Sequence, residues 1–255
     1  MKILINTSKK LIIIALWLLI WWLLSLKIDN ELIFPNPIVV IKKLLTFSIT
    51  YSFWAITLSS LSRVLRGIIF SIVVGSLLAY ASYKVKIIYE ILSPIMTTAR
   101  ATPVASFIIL IALFIGAAKV PSIVTIIMVT PIIWQSVYAG FNDVSPELKE
   151  VCATYKLSGV KQLKCLYLPA VLPYFTSSVL TSIGLGWKAG IAAEILFPPL
   201  KSIGKSIADS NMLLNTVDLF AWTLAVILLS ILFEAITKFT IKLLSKKGGK
   251  KVDNK

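Results

Sequence analysis

The chain has 255 residues, of which 58% are hydrophobic and only 15% are charged. A soluble domain normally carries about 25% charged residues, so the composition excludes an ordinary soluble enzyme, and it also excludes a disordered chain. Lys and Arg number 26 against 11 Asp and Glu, which gives a formal net charge of +15. Because the sequence has no His and only two Cys, we predict no metal site, no cofactor and no disulfide framework.

Six apolar segments are predicted to span a membrane, for which a helix needs about 20 residues. In chain order they are approximately Leu11–Leu26, Ser60–Tyr83, Pro103–Ala117, Pro121–Phe141, Pro173–Leu196 and Leu219–Ile241. The first has a basic start, but it contains three Trp and lacks a small-residue cleavage site, which favours an uncleaved helix over a signal peptide. The stretch Ile87–Thr98 is apolar but short, and either extends a helix or lies at the membrane interface.

The distribution of Lys and Arg predicts the orientation of these spans. With the N-terminus inside, 16 basic residues fall in cytoplasmic segments and six in outer segments, which favours cytoplasmic termini and an even number of spans. The same bias accounts for most of the positive charge without a nucleic acid partner. We therefore predict an all-α integral membrane protein with both termini inside, N-in and C-in. A single transmembrane domain, surrounded by the lipid bilayer, is expected to cover residues 1–255. Its basic tail, about 245–255, is predicted to be mobile.

The largest predicted cytoplasmic segment, about 142–172, carries the strongest functional pattern. Ser145 is a good helix N-cap, Pro146 suits the first turn, and Glu147 lies where the helix dipole favours an acid. A short helix is expected to run to about Tyr155. Its apolar residues fall at helical spacing on one face: Leu148, Val151, Cys152 and Tyr155.

A second short helix is predicted after the break at Ser158-Gly159. It covers Val160–Tyr167 and is expected to stop at Leu168-Pro169. Such an amphipathic pair is predicted to dock on something, and the residues favour its own bundle and a partner protein equally.

The spacing from Glu150-Val151-Cys152 to Leu168-Pro169 resembles the EAA loop of integral membrane permeases of ATP-binding-cassette importers. Within that family it is most similar to the nitrate, sulfonate and taurine type of binding-protein-dependent permease. Four shorter segments add to the resemblance: FPNP from Phe34, SSLSRVLRG from Ser59, RATPVASFIIL from Arg100 and GWKAGIAAEIL from Gly186. One position departs from the family, because Lys156 stands where a Gly is usual. Gly adopts a positive φ without steric cost, so Gly159 is expected to shift the turn.

The resemblance implies that the loop is a coupling helix seated in a groove of a cytosolic ATPase. The residues it assigns to that contact are Glu147, Leu148, Glu150, Val151, Cys152, Tyr155, Lys156, Gly159, Leu168 and Pro169. It also implies an extracytoplasmic solute-binding protein and a second permease chain, with a homodimer favoured, in the cell membrane of a prokaryote. The chain itself would hydrolyse nothing, in agreement with its lack of a Gly-x-x-x-x-Gly-Lys-Ser/Thr loop.

The solute is a small molecule, and the branch suggests anions, although similar permeases handle vitamin precursors. Two other classes of protein compete with the importer permease. A self-contained carrier or channel would transport without an ATPase. A membrane-embedded enzyme would need a catalytic constellation, which is hard to assemble without His.

Charged residues inside predicted spans are costly and usually face the bundle interior. Lys188 and Glu194 in the fifth span are candidates for the solute pathway, although six residues of helix separate their directions by about 120°. The alternative for Lys188 is a structural ion pair. Glu234 and Lys238 are predicted to pair with each other. Arg63 and Arg66 are expected to extend to lipid head groups.

Small residues in the spans predict close helix packing. Two stripes stand out, one formed by Ser71, Gly75 and Ala79 and the other by Gly186 and Gly190. We interpret both as packing devices and not as sites.

Overall fold

A computed structural model describes the backbone of residues 2–249 and the side chains of residues 12–243. Every regular element in this part of the chain is helical. In order, the helices are α1 (Lys2–Ile28), α2 (Pro37–Ser48), α3 (Tyr51–Lys84), α4 (Lys86–Ala101), α5 (Val104–Phe114), α6 (Val120–Asn142), α7 (Pro146–Thr154), α8 (Gly159–Gln162), a π-helical turn (Leu163–Tyr167), α9 (Leu168–Leu196), α10 (Ile203–Met212) and α11 (Thr216–Gly249).

Four helical segments are long and apolar enough to cross a membrane. They are α3, α6, the run Gly159–Leu196 that ends with α9, and α11. The pair α4 and α5 makes a fifth if it is one broken span, and the apolar part of α1 covers Ile12–Ile28. The fold is therefore the predicted all-helical membrane protein, with four or five clear spans within the described residues.

The prediction that Pro103–Ala117 crosses the membrane as a helix by itself is wrong. Its helix α5 has only 11 residues, or about 16 Å at 1.5 Å per residue, which is half of a hydrocarbon core. The chain instead bends by 105° between α4 and α5. The bend follows Thr102, whose extended backbone is the conformation favoured before Pro103. The stretch Ile87–Thr98 is thus part of a helix that continues into the bent pair.

Helices α2 and α10 occupy outer segments in which sequence reasoning predicted no element. Both have a side-chain N-cap: the Asn36 side chain accepts a hydrogen bond from the backbone N–H of Ile38, and Ser202 accepts one from that of Lys205. Pro37 opens α2 with a fixed backbone angle. Each helix was too short to give a periodic apolar signal, although its cap was visible in the sequence.

Helices α3, α6 and α9 pack closely, because small residues lie where they cross. A Cβ atom on Gly67 would lie 2.7 Å from the Ser122 carbonyl oxygen, and one on Gly190 would lie 2.5 Å from Cγ2 of Val64. Ser71 and Ala79 are fully buried. The interpretation of both small-residue stripes as packing devices is confirmed.

The predicted stop at Leu168-Pro169 is wrong, since the chain passes through the π-helical turn into α9 without a break. Within this turn the backbone N–H of Leu168 donates to the carbonyl of Leu163. A proline ring inside a regular helix clashes with the carbonyl four residues earlier, and the wider turn accommodates Pro169 at the start of α9. At the other end, α11 continues to Gly249, and residues 250–255 of the predicted mobile tail lie outside the described residues.

Candidate functional site

The predicted cytoplasmic loop, about 142–172, begins with the predicted capped helix. The backbone N–H of Leu148 donates to the Ser145 hydroxyl oxygen at 3.4 Å, and Pro146 occupies the first turn of α7. The carboxylate of Glu147 is hydrogen bonded by its own backbone N–H and by the Ser145 hydroxyl, which lowers its pKa below the usual value of 4.5. The predicted N-cap and first turn of α7 are therefore confirmed.

The end of α7 corrects the expectation that Gly159 shifts the turn. Lys156 itself takes the left-handed conformation, with φ of 47°, and no glycine of the described chain has a positive φ. The N–H of Lys156 donates to the carbonyl of Ala153, and that of Leu157 donates to the carbonyl of Cys152. These two bonds form a Schellman C-cap, whose geometry requires a positive φ at this position. Gly159 instead begins α8.

The apolar face of α7 is divided between the bundle and solvent. Cys152 is buried and packs with Val144 and Leu166. Leu148, Val151 and Tyr155 are 53%, 50% and 75% exposed. Cys152 therefore anchors the helix on its own bundle, whereas three large apolar side chains remain uncovered in the single chain, and their docking on a partner stays a prediction.

Aromatic contacts tie α7 to the ends of the spanning helices. The ammonium group of Lys149 lies 5.9 Å from the ring centroid of Tyr83 at the end of α3. The Tyr83 hydroxyl is 3.0 Å from that of Tyr167 in the π-helical turn, and its ring stacks on Phe141 of α6. Lys149 of α7 thus lies beside an aromatic cluster formed by residues of α3, α6 and the π-helical turn.

The remaining loop residues predicted to contact an ATPase lie on the surface. Glu150, Lys156, Leu168 and Pro169 are exposed. The Glu150 carboxylate forms no ion pair with any described residue. At 100° per residue it points about 160° away from Leu148, so the two side chains address different sides of α7.

Glu194 does not line a pathway in this structure. It is completely buried, with one oxygen 2.9 Å from an Arg63 guanidinium nitrogen. Its other oxygen accepts hydrogen bonds from the Ser60 hydroxyl at 2.7 Å and the Gly204 backbone N–H at 3.3 Å. The prediction for Glu194 is corrected to a structural role, because the hydrogen bonds of its carboxylate join α9 to residues of α3 and α10.

The expectation that Arg63 extends to lipid head groups is also wrong. Besides Glu194, its guanidinium donates to the Leu200 carbonyl at 3.0 Å. Arg66, by contrast, is exposed. The partner of Arg63 lies 131 positions away in sequence, so local spacing gave no signal for this pair.

Lys188 is exposed and lies in a cleft of about 430 Å³ between α9 and α11. Glu234 and Lys238 line the same cleft and pair at 3.2 Å, as predicted. Lys188 forms no ion pair with a described residue, and it does not contact Glu194.

Two adjoining polar cavities were not predicted from the sequence. One of about 430 Å³ lies between α4 and α6, and one of about 460 Å³ lies between α6 and α9. Arg100 and Gln135 line both. Sequence reasoning used Arg100 for the orientation and for the family resemblance but not as a site residue, although a cation next to a proline break in a spanning pair was a usable signal.

A family model described as "Binding-protein-dependent transport system inner membrane component" matches residues 71–247. The chain belongs to this family. The matched range contains α7, the π-helical turn and both polar cavities. Together with the apolar helices, membership makes the chain a multi-pass membrane protein that works with a solute-binding protein and an ATPase.

Curated relatives include three bacterial permeases. The chain is 23% identical over 228 residues to the taurine transport system permease protein TauC of Escherichia coli, covering 87% of this chain and 82% of that protein. It is 30% identical over 141 residues to the nitrate import permease protein NrtB of Synechocystis, covering 54% and 50%. It is 28% identical over 160 residues to the bicarbonate transport system permease protein CmpB of Synechococcus elongatus, covering 62% and 57%. The nitrate and bicarbonate matches thus extend over about half of those relatives.

A solved structure shares the fold. One chain of an amino acid ABC transporter crystallised with histidines superposes with a TM-score of 0.58 at 13% identity, covering 74% of this chain and 90% of that chain. Among the side chains of residues 12–243 no cluster of three or more metal-ligating groups occurs.

Proposed function

We propose that this chain is the permease subunit of an ATP-binding-cassette importer and forms the membrane pathway for a small solute. The family match and the taurine, nitrate and bicarbonate permeases among the relatives support an importer. Those relatives also favour a small anion. ATP is hydrolysed by a separate subunit, and a homodimer of this chain with an extracytoplasmic binding protein completes the assembly.

The observation that carries this proposal is the exposed apolar face of α7. Leu148, Val151 and Tyr155 are large side chains in water on a helix that is capped at both ends and anchored by Cys152. Burial of such groups contributes roughly 25 cal/mol per Å² of apolar area. A groove in a cytosolic ATPase would bury them, whereas a self-contained carrier would have no use for this face.

Substitutions on α7 test the ATPase contact. In the purified complex, Leu148→Asp should release the ATPase or abolish solute-stimulated hydrolysis, since it places a charge in an apolar groove. Ala153→Asp is the matched control, because Ala153 is exposed about 140° around the same helix and should retain the ATPase. Glu150→Lys tests the opposite side of the helix separately.

The outcome is measured by co-purification of the two subunits and by ATPase activity in liposomes. If Leu148→Asp and Glu150→Lys both bind and stimulate the ATPase as the wild type does, α7 is not the coupling element and the carrier alternative gains.

Lys188 is retained as a proposed pathway residue. It is exposed in a cleft that Glu234 and Lys238 also line, and it forms no ion pair with a described carboxylate. Lys188→Met should reduce solute uptake more than it reduces the amount of assembled complex. Equal losses of uptake and of complex would assign Lys188 a structural role.

A further inference from the structure

Arg100 is the one charged residue that lines either of the two polar cavities. The remaining lining side chains of both cavities are apolar, aromatic, hydroxyl or amide groups. No described carboxylate pairs with Arg100. The two cavities therefore share an uncompensated positive charge.

The position of Arg100 makes that charge unusual. Arg100 is exposed in the last turn of α4, and the cavity it shares with Met128 and Ile132 runs along the spanning helix α6. Ionisable groups beside membrane spans are usually retained where they face a water-filled cavity or a functional path.

A favourable interaction with the helix dipole of α4 does not neutralise this charge. Arg100 lies in the last turn of α4, where a cation complements the helix dipole. That interaction is modest at an exposed helix end, and the guanidinium keeps its full positive charge.

The groups around Arg100 match an oxyanion. A guanidinium offers parallel N–H donors that suit carboxylate, sulfonate or nitrate oxygens. Gln135 adds an amide donor to both cavities, and Ser136, Ser177 and Thr181 add hydroxyl groups to the second.

An aromatic wall bounds the first cavity. The rings of Tyr89 and Tyr138 stack with centroids 4.5 Å apart, and Trp134 stacks on both. Trp134 is fixed further by a 3.0 Å hydrogen bond from its indole N–H to the Ser82 hydroxyl. A rigid apolar wall next to a cation fits a solute with an apolar body and one anionic end.

We propose that Arg100 and Gln135 form an oxyanion-binding subsite that links these two cavities along the solute path. The subsite holds the anionic head group of the solute, and the Tyr89–Trp134–Tyr138 wall contacts its body. This inference rests on the proposed transport function, and it names the solute chemistry as that of a small monoanion.

Charge-selective thiol reagents test the subsite on the purified full chain without knowledge of the solute. Ser177 is exposed and lines the second cavity, so Ser177→Cys serves as the reporter in a background with Cys152→Ala and Cys165→Ala. The reagents are a sulfonatoethyl and a trimethylammonioethyl methanethiosulfonate, which differ in charge. The measured quantity is the ratio of their reaction rates.

We expect the anionic reagent to react faster, and Arg100→Met to lower the ratio about tenfold, as removal of a unit charge from the wall of the same cavity predicts. Arg66→Met, which removes an exposed arginine of α3, is the matched control and should leave the ratio unchanged. Arg100→Lys should preserve the ratio but lose the two-point contact with an oxyanion. Each variant is compared after gel filtration to confirm that it remains monodisperse.

Protection by added anions separates a binding site from a simple field effect. Methanesulfonate and nitrate should slow modification in the wild type at fixed ionic strength, and less so in Arg100→Lys and Gln135→Leu. Protection by methanesulfonate alone assigns an organic sulfonate, and protection by both assigns recognition of the head group. An unchanged ratio in Arg100→Met, or no protection by either anion, overturns the subsite. Neither readout involves an ATPase, so failure here is distinct from failure of the α7 test.

Discussion

The buried carboxylate of Glu194 joins α3, α9 and α10 through its ion pair and hydrogen bonds. Removing one partner of a buried ion pair leaves an uncompensated charge and costs about 3–5 kcal/mol. Glu194→Gln should therefore lower the apparent melting temperature of the purified permease in detergent. It should also loosen α10, because the same carboxylate accepts a hydrogen bond from the Gly204 backbone N–H.

A double substitution distinguishes the pair from the packing around it. Arg63→Met with Glu194→Met removes both charges and replaces them with apolar groups, which is often close to neutral for a buried pair. We expect it to be more stable than Arg63→Met alone. If the destabilisation of the double variant equals the sum of the destabilisations caused by Arg63→Met and by Glu194→Met alone, the ion pair contributes no coupling energy.

At Lys156 the required backbone geometry was predictable from the sequence, but the residue that adopts it was not. The departure from glycine was visible, and the need for a positive φ at a helix C-cap was the right physical expectation. The predicted solution, a shift to Gly159, was wrong because the chain accepts a left-handed lysine. The two C-cap hydrogen bonds and the packing of Leu157 beside Cys152 offset that cost, and none of these contacts could be read from spacing.

At the scale of helices, α7 was predictable because its signals are local. A serine cap, a proline in the first turn and an acid beside them lie within three positions of each other. The bend between α4 and α5 and the π-helical turn were not predicted. Both adjust the backbone to prolines within long apolar runs, and tertiary packing decides whether such a proline ends a helix or only distorts it.

The start of α7 should be sensitive to acid. The pKa of Glu147 is lower in the folded chain than its usual value of 4.5, through its own backbone N–H and the Ser145 hydroxyl. A lowered pKa stabilises the fold above the unfolded value and loses that contribution as the pH falls through the folded value. Hydrogen exchange of the α7 amides, corrected for intrinsic rates, should therefore accelerate below about pH 4.5.

Two variants isolate this contribution. Glu147→Gln should remove the acid sensitivity, while Ser145→Ala should weaken the helix at every pH by about 1 kcal/mol, through loss of the cap. Acid sensitivity that persists unchanged in Glu147→Gln would assign it to another group.

At the scale of the whole molecule, composition and charge established the class of protein, and the long-range contacts did not follow from them. The bundle of α3, α6 and α9 was foreseeable through its small-residue stripes. The junction of Arg63 and Glu194, and the meeting of Arg100 with Gln135 and Ser177, bring together residues from helices far apart in sequence. Such meetings depend on how the spans are arranged, which hydropathy does not encode.

The orientation of the bundle in the membrane is a prediction of the charge bias and is open to direct measurement. The predicted segments place 16 basic residues on the cytoplasmic side and six outside, so α7 should face the cytoplasm and the loop before α10 should face outward. Lys161 and Lys201 are exposed on these two segments. In a Cys165→Ser background, Lys201→Cys should react with a membrane-impermeant maleimide in intact cells, or in spheroplasts where an outer membrane intervenes. Lys161→Cys should react only after permeabilisation. Labelling of Lys161→Cys from outside would invert the topology and place α7 beyond the reach of a cytosolic ATPase.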